Sequence, residues 1–157
     1  MVNTVNGEAL RPAKLVGTTL INGSPVSFFT PPHNEPDFLW VDFEELALAF
    51  LPEVDAKRFV QFAHNFSPRT RTVTTAVNGD RIATIAPHPM AQAFASFIDQ
   101  RNGQVSGDRE DWNDGPAHQE YCSAAADLEH DHGVNNSFET ITAAFKNQGG
   151  PFMREFE

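Results

Sequence analysis

The chain has one cysteine in 157 residues, Cys122. That excludes an internal disulfide framework and any zinc cage built from several cysteines, and a lone thiol fits a reducing cytoplasm. Long apolar runs are missing too. Nowhere do about 20 apolar residues follow one another, so no membrane-spanning helix is expected. The opening MVNTVNGEALRPAK lacks a basic segment leading into an apolar one, so no secretory signal is expected. Positive charge is scarce: 11 Lys and Arg stand against 21 Asp and Glu, for a net charge of -10. Such a field repels nucleic acid over most of the surface. The G-x-S-x-G elbow, the H-E-x-x-H pair and the phosphate-cradling P-loop are also missing. The reading leans away from an enzyme, and no cofactor is expected.

What the chain does have is phenylalanine, 14 of them beside a single tyrosine. A chain of this length forms one domain, or one domain with an appendage. It buries roughly 70% of the surface its unfolded form exposes, enough for a core without a metal or disulfide. Its few cations are concentrated. Between residues 56 and 81, Lys57, Arg58, Arg69, Arg71 and Arg81 stand against Asp80 alone. The flanking segments are acidic, and the basic middle is expected to face them within the fold.

Two stretches echo each other: INGSPVSFFTPPH at 21–33 and VNGDRIATIAPHP at 77–89. Asn-Gly tolerates the positive φ angles of a tight hairpin turn, and the flanks are rich in Val, Ile, Thr and Phe. Two β-hairpins are predicted, turning at Asn22-Gly23 and Asn78-Gly79. The spacing from glycine to histidine differs by one between the copies, so shared turn chemistry explains the echo better than duplication. His33 and His88 read as ordinary loop and cap histidines.

Helical spacing accounts for much of the rest. In DFEELALAFL, Asp42 caps and Glu45 completes a capping-box pattern, with Phe43, Leu46, Ala47 and Phe50 on one face. A second helix begins near Asp55 and aligns Ala56, Phe59, Val60, Ala63 and Phe66 before Pro68. A third aligns Met90, Ala93, Phe94 and Phe97. Residues 102–116 form a polar, acidic connector that Trp112 pins to the body. Two C-terminal helices follow, one stopped by Gly133 and one opened by Asn136 with Glu139. The predicted fold class is α+β: two hairpins forming a small antiparallel sheet packed with helices, in the order ββααββα, plus a C-terminal helical pair. The divisions are a flexible lead-in (1–13), the α+β core (14–101), the connector (102–116) and the helical region with its tail (117–157).

Three groups of residues are candidates for function. In PFMREFE the apolar Phe152, Met153 and Phe156 suit docking, on the protein's own core or on a partner. Lys57, Arg58, Arg69, Arg71 and Arg81 would contact phosphates if they share one face. His118, Cys122 and Glu129 fall in one helical stripe with His132 nearby, and all are residue types that ligate zinc. Cys122 also sits one turn from His118, the spacing of a nucleophile and its base, although a cysteine among alanines reads better as a small buried apolar group.

The stretch PDFLWVDFEELALAFLP follows an Asn-Gly hairpin with a Trp-led entry into a capped helix. This arrangement resembles the BRO-type N-terminal domain of phage antirepressors, with Trp40, Val41, Asp42 and Leu46 carrying the likeness. VNGDRIATIAPHPMAQAFASFI is similar to that family's second hairpin and helix, so the resemblance covers about residues 14–101. It implies a phage- or prophage-derived regulator that works by binding. Because the chain is acidic, the expected partner is another protein; nucleic acid is the alternative, a metal-binding protein or metalloenzyme the next. A self-associating chain and an acidic mimic of nucleic acid are variants of the first reading.

Overall fold

The computed structural model describes residues 4–5, 8–65, 73–106, 111 and 113–154. The fold is α+β. A short ribbon, β1 (Thr4–Val5) with β2 (Glu8–Ala9), precedes the first hairpin, β3 (Leu15–Ile21) and β4 (Ser24–Phe29). Strand β5 (Trp40–Asp42) leads directly into α1 (Phe43–Phe50) and α2 (Glu53–His64). The second hairpin, β6 (Thr74–Asn78) and β7 (Arg81–Ala86), is followed by α3 (His88–Arg101), α4 (Pro116–Asp131) and α5 (Phe138–Lys146). A 3-10 turn over Gly150–Met153 closes the described chain.

The two hairpins do not pair with each other. Strand β5 lies between them, giving the antiparallel order β3-β4-β5-β7-β6. Three residues are too few to show a strand's alternation, so the predicted element order omitted it. The lead-in is also corrected at its end. Arg11 N donates to Pro32 O at 3.1 Å, and Leu10 and Ala13 pack against buried residues of the sheet.

The turns differ from each other. Asn22 and Gly23 both have positive φ, as a type I′ turn requires, and Ile21 pairs with Ser24. In the second hairpin Asn78 pairs with Arg81, so the turn is Gly79-Asp80, one residue later than predicted. This frees the Asn78 amide to donate to Asp42 Oδ2 at 3.0 Å.

Alternation across the pleat builds two apolar layers. Val26, Phe28, Val41 and Ala86 join the larger core with α1, α3 and α4. Phe29, Trp40 and Ile85 face the other way, where Phe152 covers them. Asp42 caps α1 by accepting from Glu45 N at 3.0 Å. Glu45 does not close the capping box, because its Oε1 accepts from Ser27 N at 2.9 Å and ties α1 to β4. The reciprocal box belongs to α5, with Ser137 and Thr140 in place of the predicted Asn136 and Glu139. At α4 the cap comes from another helix: Asp99 on α3 accepts from Ala117 N at 2.8 Å and His118 N at 3.0 Å.

Candidate partner-binding groove

Helices α2 and α3 lie side by side across a floor made by Phe94. Its ring meets Phe43 at 5.5 Å and Phe59 at 5.4 Å, both edge-on. Between the helices runs a groove of about 310 Å³, walled by Phe59, Phe62, Met90, Phe97 and Met153. A more open depression of about 510 Å³ continues it, bounded by Arg58, Phe59, Phe62 and Phe97. Phe59 and Phe97 stack 5.0 Å apart, yet Phe97 keeps 41% of its surface exposed and Phe62 keeps 62%. Phe59 and Phe97 were predicted on apolar faces. Phe62 was missed, since it lies off the stripe that buries Ala56 and Ala63. A large aromatic on the polar side of an amphipathic helix was the signal.

Three of the five predicted cationic residues, Lys57, Arg58 and Arg81, are among the described residues, and each has its own surroundings. Lys57 Nζ pairs with Glu53 at 2.9 Å on the surface of α2. Arg81 lies among acids: it reaches Asp42 at 2.5 Å, Glu45 at 3.5 Å and Glu44 at 3.9 Å. Arg58, at the rim of the groove, has no ion partner among the described residues. Arg69 and Arg71 lie outside the described residues, as do Phe66, Trp112 and Phe156.

The members of the helical stripe on α4 have separate partners. Glu129 Oε1 accepts from Leu39 N at 2.8 Å, and His132 sits against Gly17 of β3. Among the described residues no group of three His, Cys, Asp or Glu side chains is placed to hold a metal ion. His118 and Cys122 do touch, with sulfur 3.8 Å from Nδ1, and Gln92 donates to the same sulfur at 3.6 Å. Burial pushes the Cys122 thiol up and the His118 imidazole down, which favours two neutral groups over a thiolate–imidazolium pair.

One tail residue docks on the protein's own core. Phe152 is fully buried against Trp40, with ring centroids 4.9 Å apart, so it belongs to the core. Its neighbour Met153 keeps substantial exposure, at one wall of the groove. The two proline-flanked histidines stand in a loop and at a helix start, and both are tied into the fold. His33 is fully buried and bonded to Asp37 at 2.9 Å, and His88 shares a 2.9 Å hydrogen bond with the buried Tyr121 hydroxyl.

No family model, curated protein or solved structure matches the chain. Among the described residues no helix is long and apolar enough to cross a membrane.

Proposed function

We propose that this protein acts by binding another protein, and that the α2–α3 groove takes an apolar segment of that partner. The observation that carries the reading is the aromatic wall of half-buried Phe59 and exposed Phe62 and Phe97 beside a cavity large enough for side chains. Phenylalanine, methionine, alanine and proline side chains transfer no protons and attack no substrate, so the groove is suited to recognition and not to catalysis. Buried aromatic anchors supply most of the energy at protein interfaces, and Phe–Met surfaces adapt to an inserted helix face. The likeness to phage antirepressors implies a regulator working by binding, and a groove of this kind supplies the surface such a regulator needs.

The test is titration with an anilinonaphthalenesulfonate dye, whose apolar rings suit the groove and whose sulfonate suits Arg58. Saturable binding is expected, lost in Phe62→Glu and Phe97→Glu at unchanged helix content. A helical peptide with phenylalanines at i, i+3 and i+7 displaces the dye; its scrambled version does not. Dye binding that ignores both substitutions, or no displacement by the ordered peptide, overturns the reading.

A further inference from the structure

Helix α5 is turned inside out relative to an ordinary surface helix. Its one buried residue is the small Ala144, while Phe138 (85%), Ile141 (45%) and Phe145 (68%) face solvent. Steps of three and four residues put these side chains in one ridge. The helix is held in this orientation from both ends. Ser137 and Thr140 form its capping box, and Asn147 Nδ2 donates to Pro36 O at 2.9 Å and Glu35 Oε1 at 3.1 Å. The walls of the α2–α3 groove include no residue of α5. The chain therefore carries an apolar groove and, elsewhere, an apolar ridge with the i, i+3, i+7 spacing that helix-binding grooves accept.

Charge selects the occupant. Arg58 stands at the rim of the groove, and Glu139 stands one residue along from the start of the ridge. Neither has an ion partner among the described residues. In a chain of net charge -10, a free arginine beside an apolar groove favours a ridge that brings a carboxylate. We propose that the α5 ridge of one copy, Phe138, Ile141 and Phe145, docks in the α2–α3 groove of a second copy, with Glu139 meeting Arg58. This rests on the reading of the groove as a protein-binding site and names its occupant. The contact is heterologous, groove to ridge, so each copy brings one of each.

That asymmetry provides the test. Sedimentation velocity of the full chain, from micromolar to millimolar concentration, is expected to show mass above the monomer that rises with concentration. Phe145→Glu spoils the ridge and Phe62→Glu spoils the groove, and each variant alone is expected to sediment as a monomer. Both positions are exposed, and circular dichroism checks that each variant stays folded. An equimolar mixture is expected to recover a one-to-one dimer, because the intact groove of one meets the intact ridge of the other. Arg58→Glu weakens the association about tenfold, and Glu139→Arg in its partner restores it. A wild-type chain that stays monomeric, an association indifferent to either substitution, or a mixture that fails to dimerise overturns the proposal. If the dye and ordered peptide still compete for the groove in a chain that stays monomeric, the groove reading stands and only its occupant falls.

Discussion

The indole Nε1 of Trp40 donates to Asp37 Oδ2 at 2.8 Å, and both residues are buried. His33 Nε2 reaches the same oxygen at 2.9 Å, while Oδ1 accepts from Phe38 N at 2.8 Å and Gly149 N at 2.9 Å. One carboxyl group thus ties the proline-rich loop, strand β5 and the C-terminal turn together. Removing it leaves an indole N–H and the Gly149 N–H buried without acceptors. Asp37→Ala is expected to cost about 3–5 kcal/mol in urea unfolding. A loss under about 1 kcal/mol would show that water replaces the carboxyl group easily.

Phe152 and Met153 are neighbours with opposite environments. The Phe152 ring is fully buried on Trp40 and lies 6.3 Å from His33. Phe152→Ala is expected to cost about 3–5 kcal/mol, the range for emptying an aromatic site in a core. Met153 is 38% exposed, and Met153→Ala is expected to cost under about 1 kcal/mol. Equal effects in thermal unfolding would contradict the division between buried anchor and groove wall.

Local chemistry was legible in the sequence, and long-range chemistry was not. Asn22-Gly23 turns its hairpin because the required backbone angles are a property of those two residues. The second turn slipped by one because Asn78 finds Asp42, 36 positions away. Asp37 sat in a stretch correctly read as irregular. Its importance was hidden, because one of its donors, Gly149, lies 112 positions along the chain. The groove was half legible. Phe59 and Phe97 fell on apolar faces as predicted, but periodicity does not say whether a face meets a core or is left open. Nor could helical spacing show that α5 buries Ala144 and presents Phe145.

Arg81 compensates a pocket of acids and is held there by it. Asp42 is fully buried and receives Glu45 N and the Asn78 amide as well as the guanidinium. Arg81→Ala removes the only cation on that carboxyl group among the described residues, at an expected cost of about 1–3 kcal/mol. Arg81→Lys is expected to recover only part, since an ammonium lacks the fork that sets Nη2 between Asp42 and Glu45 and turns Nη1 towards Glu44. Urea unfolding of the two variants measures this, and identical stability in both would show that charge alone matters there.

Two groups, the half-buried His88 and the buried Glu129 on α4, pull stability in opposite directions as pH changes. Burial raises Glu129 from 4.5 to about 7, against a smaller opposing effect of its hydrogen bond from Leu39 N. Between those values the folded chain holds a proton that the unfolded chain has released, so this group's contribution falls as pH rises from 4.5 to about 7. Burial lowers His88 from 6.5 to about 4. There the unfolded chain holds the extra proton, so its contribution rises with pH from about 4 to 6.5. The two trends oppose each other over the shared window. Glu129→Gln keeps an oxygen for Leu39 N but removes the titration. Its stability, measured by urea unfolding at a series of pH values, is therefore expected to climb more steeply than that of the parent chain between pH 4.5 and 7. Parallel pH profiles for the two proteins would mean that Glu129 titrates alike in the folded and unfolded states, and that water reaches it in the fold.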